Sequence, residues 1–195
     1  DLSDLKDIKN TEGEEEYTKK GDELIWENKG EDISYEGTTD KELPVKTEIK
    51  YFLDGKEIEP EKLAGKSGKV TIRFQYENQT SQTVQVNGKD VETVTPFAVL
   101  STVMLSEDHF SNIQVKNGKL VDMDGQTVVV GYAFPGLQES LKLTDYEATK
   151  DVEIPDYVEI QADATDFQLD FTATVVTNGL FKELEEDDLK NLDDL

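Results

Sequence analysis

Between residues 43 and 179, apolar side chains recur at every second position, and Asp-Gly or Asn-Gly repeatedly cuts the runs. A period of two turns one face of a strand to a core and the other to water, which restricts this stretch to half-buried strands. Val45, Thr47, Ile49, Tyr51 and Leu53 alternate with Lys46, Glu48, Lys50 and Phe52 and run into Asp54-Gly55. Val70, Ile72, Phe74 and Tyr76 alternate with Thr71, Arg73 and Gln75; a turn rich in Gln, Thr and Ser then leads to Val84 and Val86, which predicts a hairpin. Asn87-Gly88, Asn117-Gly118 and Asp124-Gly125 also lie between β-rich runs. Type I′ turns need positive φ at both central residues, so this punctuation predicts antiparallel pairing.

Two runs depart from alternation. Residues 97–105 and 127–134 are almost continuously apolar, the pattern of central strands covered on both faces. Val158, Ile160, Ala162 and Ala164 keep one phase, whereas Phe167, Leu169, Phe171, Ala173 and Val175 keep the opposite one. A one-residue slip turns every side chain over, so a bulge or corner is expected at Thr165-Asp166, where a strand changes sheet. Helix is scarce. Pro60 to Ala64 and Leu137 to Leu143 offer a turn or two each, and Leu180, Leu184, Leu189, Leu192 and Leu195 fit an amphipathic helix with one irregularity. The expected fold class is mainly β: an antiparallel β-sandwich, immunoglobulin-like or related, with short helices and a C-terminal helix. The expected organisation is an acidic arm or edge element at residues 1–16, a sandwich at 17–179, and a helical start of a stalk at 180–195. A division of the sandwich into two subdomains near residues 107–112 stays open.

Charge and composition narrow the function classes. The 195 residues carry 44 acids against 20 bases, a net charge of −24, and the bases are 19 Lys and the single Arg73. Phosphate neutralisation needs clustered cations, so nucleic acid is not an expected partner, and an anionic membrane surface would repel the chain. There is no Cys and one His, His109, which removes thiol nucleophiles, disulfides and zinc sites built on Cys and His. Residues 1–42 hold 15 acids and 6 Lys, and residues 180–195 hold 7 acids and 2 Lys, so the ends are the most acidic parts. No apolar run approaches the roughly 20 residues of a membrane helix.

Each chemical motif competes with a plainer reading. Ala64-Gly65-Lys66-Ser67-Gly68 resembles the end of a phosphate-binding loop, but the earlier Gly is missing and a strand follows instead of a helix. Asp122 and Asp124 stand at alternate positions, as calcium ligands do, yet Asp124-Gly125 also makes a turn; Asp163 and Asp166, with Asp170, form a second such group. Paired carboxylates could serve glycoside hydrolysis, but the sequence singles out no pair. Trp26 and Tyr35 could offer a stacking platform to a sugar, although packing is the commoner use of a lone Trp. Asn78-Gln79-Thr80 is a formal glycosylation sequon.

Several collinear stretches, Asp32-Ile33-Ser34-Tyr35-Glu36-Gly37-Thr38-Thr39, Tyr51-Phe52-Leu53-Asp54-Gly55-Lys56, Val130-Gly131-Tyr132-Ala133-Phe134-Pro135-Gly136-Leu137 and Glu153-Ile154-Pro155-Asp156-Tyr157-Val158, resemble surface proteins of Gram-positive Firmicutes similar to the phage-infection-protein (Pip)-like group. The resemblance implies an extracytoplasmic β-domain, a stalk of leucine-glycine heptads and a membrane anchor outside the chain; it brings no catalytic motif. The expected function is therefore non-enzymatic, in adhesion, envelope architecture or receptor-like recognition, with a protein or glycan partner and no cofactor. The alternatives are a calcium- or carbohydrate-binding sandwich and, behind these, a carboxylate-pair hydrolase.

Overall fold

The computed structural model describes residues 2–28, 30, 32–86, 88–145 and 147–181. Strands hold 56% of the chain and helices 7%, so the fold is mainly β, built from several antiparallel sheets. The chain divides into two compact units at 42/43, a boundary different from those expected at 16/17 or near 107–112.

The first unit, residues 1–42, contains four short strands, β1 (Lys6–Asn10), β2 (Tyr17–Lys20), β3 (Glu23–Trp26) and β4 (Tyr35–Thr38). β1 pairs with β4 and β2 with β3, both antiparallel. Residues 6–10 are thus a paired strand, with a register shift between Lys6 and Lys9 where Asp7 takes φ 50°. Leu24 and Ile8 are the buried aliphatic residues of this unit, and Lys41–Asp4 and Lys6–Asp40 are ion pairs on its surface.

The second unit contains β5 (Val45–Leu53), β6 (Lys56–Ile58), α1 (Pro60–Leu63), β7 (Gly68–Asn78), β8 (Ser81–Val86), β9 (Lys89–Val94), β10 (Ala98–Ser106), β11 (Phe110–Lys116), β12 (Gly118–Met123), β13 (Gln126–Ala133), α2 (Leu137–Ser140), β14 (Tyr157–Ala164) and β15 (Phe171–Thr177). Two antiparallel sheets form an antiparallel β-sandwich, one of order β12-β13-β10-β15 and one of order β11-β14-β7-β5-β6; β8 and β9 make a separate hairpin. The alternation predicted along β7 is seen in full: Val70, Ile72, Phe74 and Tyr76 are buried, and the residues between them are not. They pack with Val99, Val103, Leu105, Val129, Ala133, Val158 and Ile160 into one core drawn from both sheets.

Turn chemistry behaves as expected at Asp54-Gly55, where both residues have positive φ and β5 folds back on β6. The corner predicted at Thr165-Asp166 also forms. Asp166 takes φ 52°, β14 ends in the five-stranded sheet, and β15 begins in the other. Two expectations are corrected. β8 pairs with β9 and not with β7, because the register of β7 is already taken by β5 and β14. Asn117-Gly118 joins strands of different sheets, so it is a corner and not a hairpin turn. Gly179–Phe181 makes a 3-10 turn; the C-terminal helix expected over residues 180–195 otherwise falls on residues 182–195, which lie outside the described residues.

The side chain of Asn78 ties the end of β7 to two other segments. Its Nδ2 donates to the carbonyls of Thr95 (2.8 Å) and Pro135 (3.1 Å), and its Oδ1 accepts from the N–H (3.0 Å) and Oγ1 (2.6 Å) of Thr80. The sequon asparagine is thus fully engaged by the fold.

The sheets approach closely at Gly131, where a Cβ would sit 2.5 Å from Val158 Cγ1. Gly131→Ala should cost about 1–3 kcal/mol by overpacking, and Val158→Ala in the same chain should return part of that loss; urea unfolding of the double-mutant cycle measures it. Independent destabilisation by the two changes would contradict this contact.

A second prediction concerns alkaline pH. Tyr76 is buried and its hydroxyl shares a hydrogen bond with Ser101 Oγ, which lies 3.3 Å from Thr174 Oγ1. Burial raises the Tyr76 hydroxyl above its ordinary 10.0, against the opposing pull of those hydrogen bonds. The folded chain therefore keeps this proton where the unfolded chain releases it. The contribution to stability is complete below about pH 10 and is lost as pH rises from there through the folded-state value. Tyr76→Phe should show a shallower fall in denaturation midpoint above that pH than the parent.

Candidate functional site

In a two-layer sandwich each sheet normally gives one face to the core and one to water, with polar residues on the wet face. The five-stranded sheet follows this rule. Its outer face carries Lys46, Glu48 and Lys50 on β5, Lys69, Thr71, Arg73, Gln75 and Glu77 on β7, and Glu159, Gln161 and Asp163 on β14. Across strands Arg73 lies 3.6 Å from Glu159, and its guanidinium sits 3.9 Å above the Tyr157 ring, with Lys116 Nζ 5.2 Å from the same ring. Lys116 is held above its ordinary value, first by its hydrogen bond to Tyr157.

The four-stranded sheet breaks the rule. Along β10, Val99, Ser101, Val103 and Leu105 point inward and are buried, which leaves Leu100, Thr102 and Met104 facing out. The register places Tyr132, Val130 and Val128 beside them on β13, and Val175, Ala173 and Phe171 on β15. On β12, Val121 stands beside Val128 and Met123 beside Gln126, with Lys119 beside Val130. Thr102, Lys119, Thr177 and the end row of Ser106 and Gln126 interrupt an otherwise apolar surface that crosses all four strands. Leu100 is 45%, Val121 47% and Val175 59% exposed, whereas the inward-facing Val103 and Val129 are 1% exposed. From strand spacing and rise, the face measures on the order of 400 Å². Patches of this size on monomers are often functional.

The runs 97–105 and 127–134 are indeed the central strands of their sheet, but they are covered on one face only. That is the sequence signal for this surface. Alternation vanishes in these runs because both faces are apolar, and a continuous run does not show that one face lacks a cover. Phe171, Ala173 and Val175, in phase with the buried Phe167, turn outward; of that series Phe167 and Leu169 reach the core.

The other candidates lie elsewhere. Asp122 is exposed on edge strand β12, and Asp124 (φ 21°) with Gly125 (φ 81°) forms the turn into β13. Asp163 accepts from Asn112 Nδ2 at 2.7 Å; the backbone N–H of Asp166 donates to Ser67 Oγ at 3.1 Å, and its carboxylate accepts from Gln168 Nε2 at 2.9 Å. Among the described residues no three His, Asp or Glu side chains converge as a cation site would need. The Gly65-Lys66-Ser67 segment is a turn: Gly65 has φ 73°, Lys66 N–H donates to Leu63 O at 2.9 Å, and Lys66 O accepts from Phe167 N–H at 2.8 Å. His109 Nδ1 lies 3.1 Å from the Thr165 carbonyl.

Trp26 and Tyr35 do meet. Their ring centroids are 5.3 Å apart, and Tyr17, the direct cross-strand neighbour of Trp26, lies 5.1 Å from it on β2. A groove of this first unit runs beside the trio, lined by Glu23, Ile25, Trp26, Asn28, Asp32 and Tyr35. Among the described residues Trp26 Nε1 is buried and meets no acceptor.

Comparison of the chain with protein-family models, with curated proteins and with solved structures finds no match.

The assignment of faces makes a direct test. Val175→Lys and Val121→Lys should leave stability within about 0.5 kcal/mol of the parent, as exposed positions do. Val103→Lys, which puts an unpaired ammonium into the core, should prevent folding. Thermal denaturation of the three variants separates an open outer face from a covered one.

Proposed function

We propose that this chain is a non-catalytic recognition module of a Gram-positive cell-surface protein, displayed outside the cytoplasm, and that it docks a protein partner on the outer face of β12, β13, β10 and β15. One observation carries the reading: two strands whose sequence suits burial on both sides have one side open, while the opposite sheet of the same sandwich has a conventional charged face. Docking would remove that apolar surface from water, which is the dominant favourable contribution in most protein association. The net charge of −24 keeps a module with such a patch soluble and disfavours nucleic acid as the partner.

The test is binding of the labelled chain to Gram-positive envelope fragments. The double variant Val130→Lys/Val175→Lys, which breaks the face in two strands, should bind at least tenfold more weakly, a loss of about 1.4 kcal/mol or more. Equal binding by parent and variant would overturn the docking face. Turnover of a glycan or peptide by the parent, abolished by one carboxylate substitution, would overturn the non-catalytic reading.

A second reading draws on the Tyr17, Trp26 and Tyr35 trio. Stacked aromatic rings beside a groove suit a sugar. A glycan array with parent and Trp26→Ala separates the two: glycan signal lost in Trp26→Ala but retained in Val130→Lys/Val175→Lys would favour the trio.

A further inference from the structure

The sandwich has four edge strands, β12, β15, β11 and β6. An edge exposes a row of unpaired N–H and C=O groups, and proteins normally blunt it with charge, a bulge or brevity. Three edges here are blunted. β6 is three residues long and includes Lys56 and Glu57; β11 has a register shift between Ser111 and Gln114, with Asn112 at φ 52°; β12 carries Lys119 and Asp122. β15 has none of these devices. Its seven residues, Phe-Thr-Ala-Thr-Val-Val-Thr, contain no charge, no Pro and no Gly, and they pair with β10 in unbroken register along their whole length.

Both faces of β15 also stand open. Phe171 and Val175 are exposed on the outer face, and Thr172, Thr174 and Val176 are partly or wholly exposed on the inner one. On β5 of the other sheet, Thr47 and Ile49, in phase with the buried Val45, are exposed as well. A strand added here would complete a hydrogen-bonded ladder and cover apolar surface on two faces.

We propose that β15 is a strand-pairing interface and that its partner is β15 of a second copy of this chain, antiparallel about a two-fold axis through Thr174, so that two four-stranded sheets become one of eight. The register identifies the occupant. Under that axis Phe171 opposes Thr177, Thr172 opposes Val176, Ala173 opposes Val175, and Thr174 opposes itself. Each pair joins a β-branched residue to an apolar, aromatic or hydroxyl side chain, combinations that stabilise antiparallel ladders. No charge faces a charge, although each copy carries −24. A two-fold contact uses the same patch on both copies and closes on itself, so it stops at a dimer. The edge shares Phe171, Ala173 and Val175 with the outer face, but dimerisation is read on the purified chain with no partner present, so its failure is distinguishable from failure of the docking reading.

Because the chain has no Cys, Thr174→Cys supplies a single thiol at the axis. Under mild oxidation of the folded 195-residue chain it should give a disulfide-linked dimer, whereas Val84→Cys, on β8, should give little. Sedimentation of the parent should show a monomer–dimer equilibrium that shifts to dimer with concentration and with salt, since salt screens repulsion between two acidic copies. Thr174→Lys places two ammonium groups opposite each other, and Ala173→Lys charges the edge without touching Ser101; each should weaken dimerisation at least tenfold while retaining the parent circular dichroism. A parent that stays monomeric at its highest soluble concentration overturns the proposal. So does a dimer that both Lys variants leave intact, or cross-linking as efficient through residue 84 as through residue 174.

Discussion

The sandwich depends on how closely two sheets meet where β13 crosses β14. Sheets packed face to face stand about 10 Å apart with interlocking side chains. Gly131 contributes none, and Val158 fills the space it leaves. That approach lets Val129 and Ala133 reach Val158 and Ile160, sets Tyr76 against Ser101, and completes a core drawn from both sheets. The core is narrow. It is deepest under β7, β10, β13 and β14 and thins toward β15, where inward-facing threonines are already exposed. Both surfaces singled out above follow from this: the outer face of β10 and β13 is apolar beyond what the core uses, and β15 lies where the core runs out.

Much of the second unit was legible in the sequence because its signals are local. The phase of Val70 to Tyr76 gives an inner and an outer face from a single run, and Asp54-Gly55 and the phase change at Thr165-Asp166 mark a turn and a corner that both form. Pairing choices are less legible, since they are settled by strands distant in the chain. β8 sits beside β9 because β5 and β14 occupy both sides of β7. The four strands of residues 1–42 are short and lie in one of the two acidic ends of the chain, so charge density hides their pattern. For the site, Trp26 and Tyr35 drew attention by residue type, and their contact arises from the position of Trp26 opposite Tyr17. The apolar face escaped notice because hydrophobicity along a strand records what must leave water, not what covers it.

Charge is distributed with the same asymmetry. One outer face of the sandwich is a mosaic of charged and polar side chains, with Arg73 beside Glu159 and over Tyr157, and the other has a single Lys and a few neutral polar groups among aliphatic and aromatic ones. The two faces thus differ in what they can hold: the first exchanges ions with solvent, and the second gains only by excluding it.

The amide of Asn78 has a consequence for how the protein can be made. The tripeptide that contains it is an acceptor for oligosaccharide transfer in a eukaryotic secretory pathway, where modification acts on the extended chain before it folds. In the folded molecule that same nitrogen already donates to Thr95 and Pro135. A sugar attached there would replace one of that nitrogen's two hydrogens, so a chain glycosylated during synthesis would lose at least one of the two bonds that hold the end of β7. Bacterial production avoids this competition between two chemistries for one nitrogen atom.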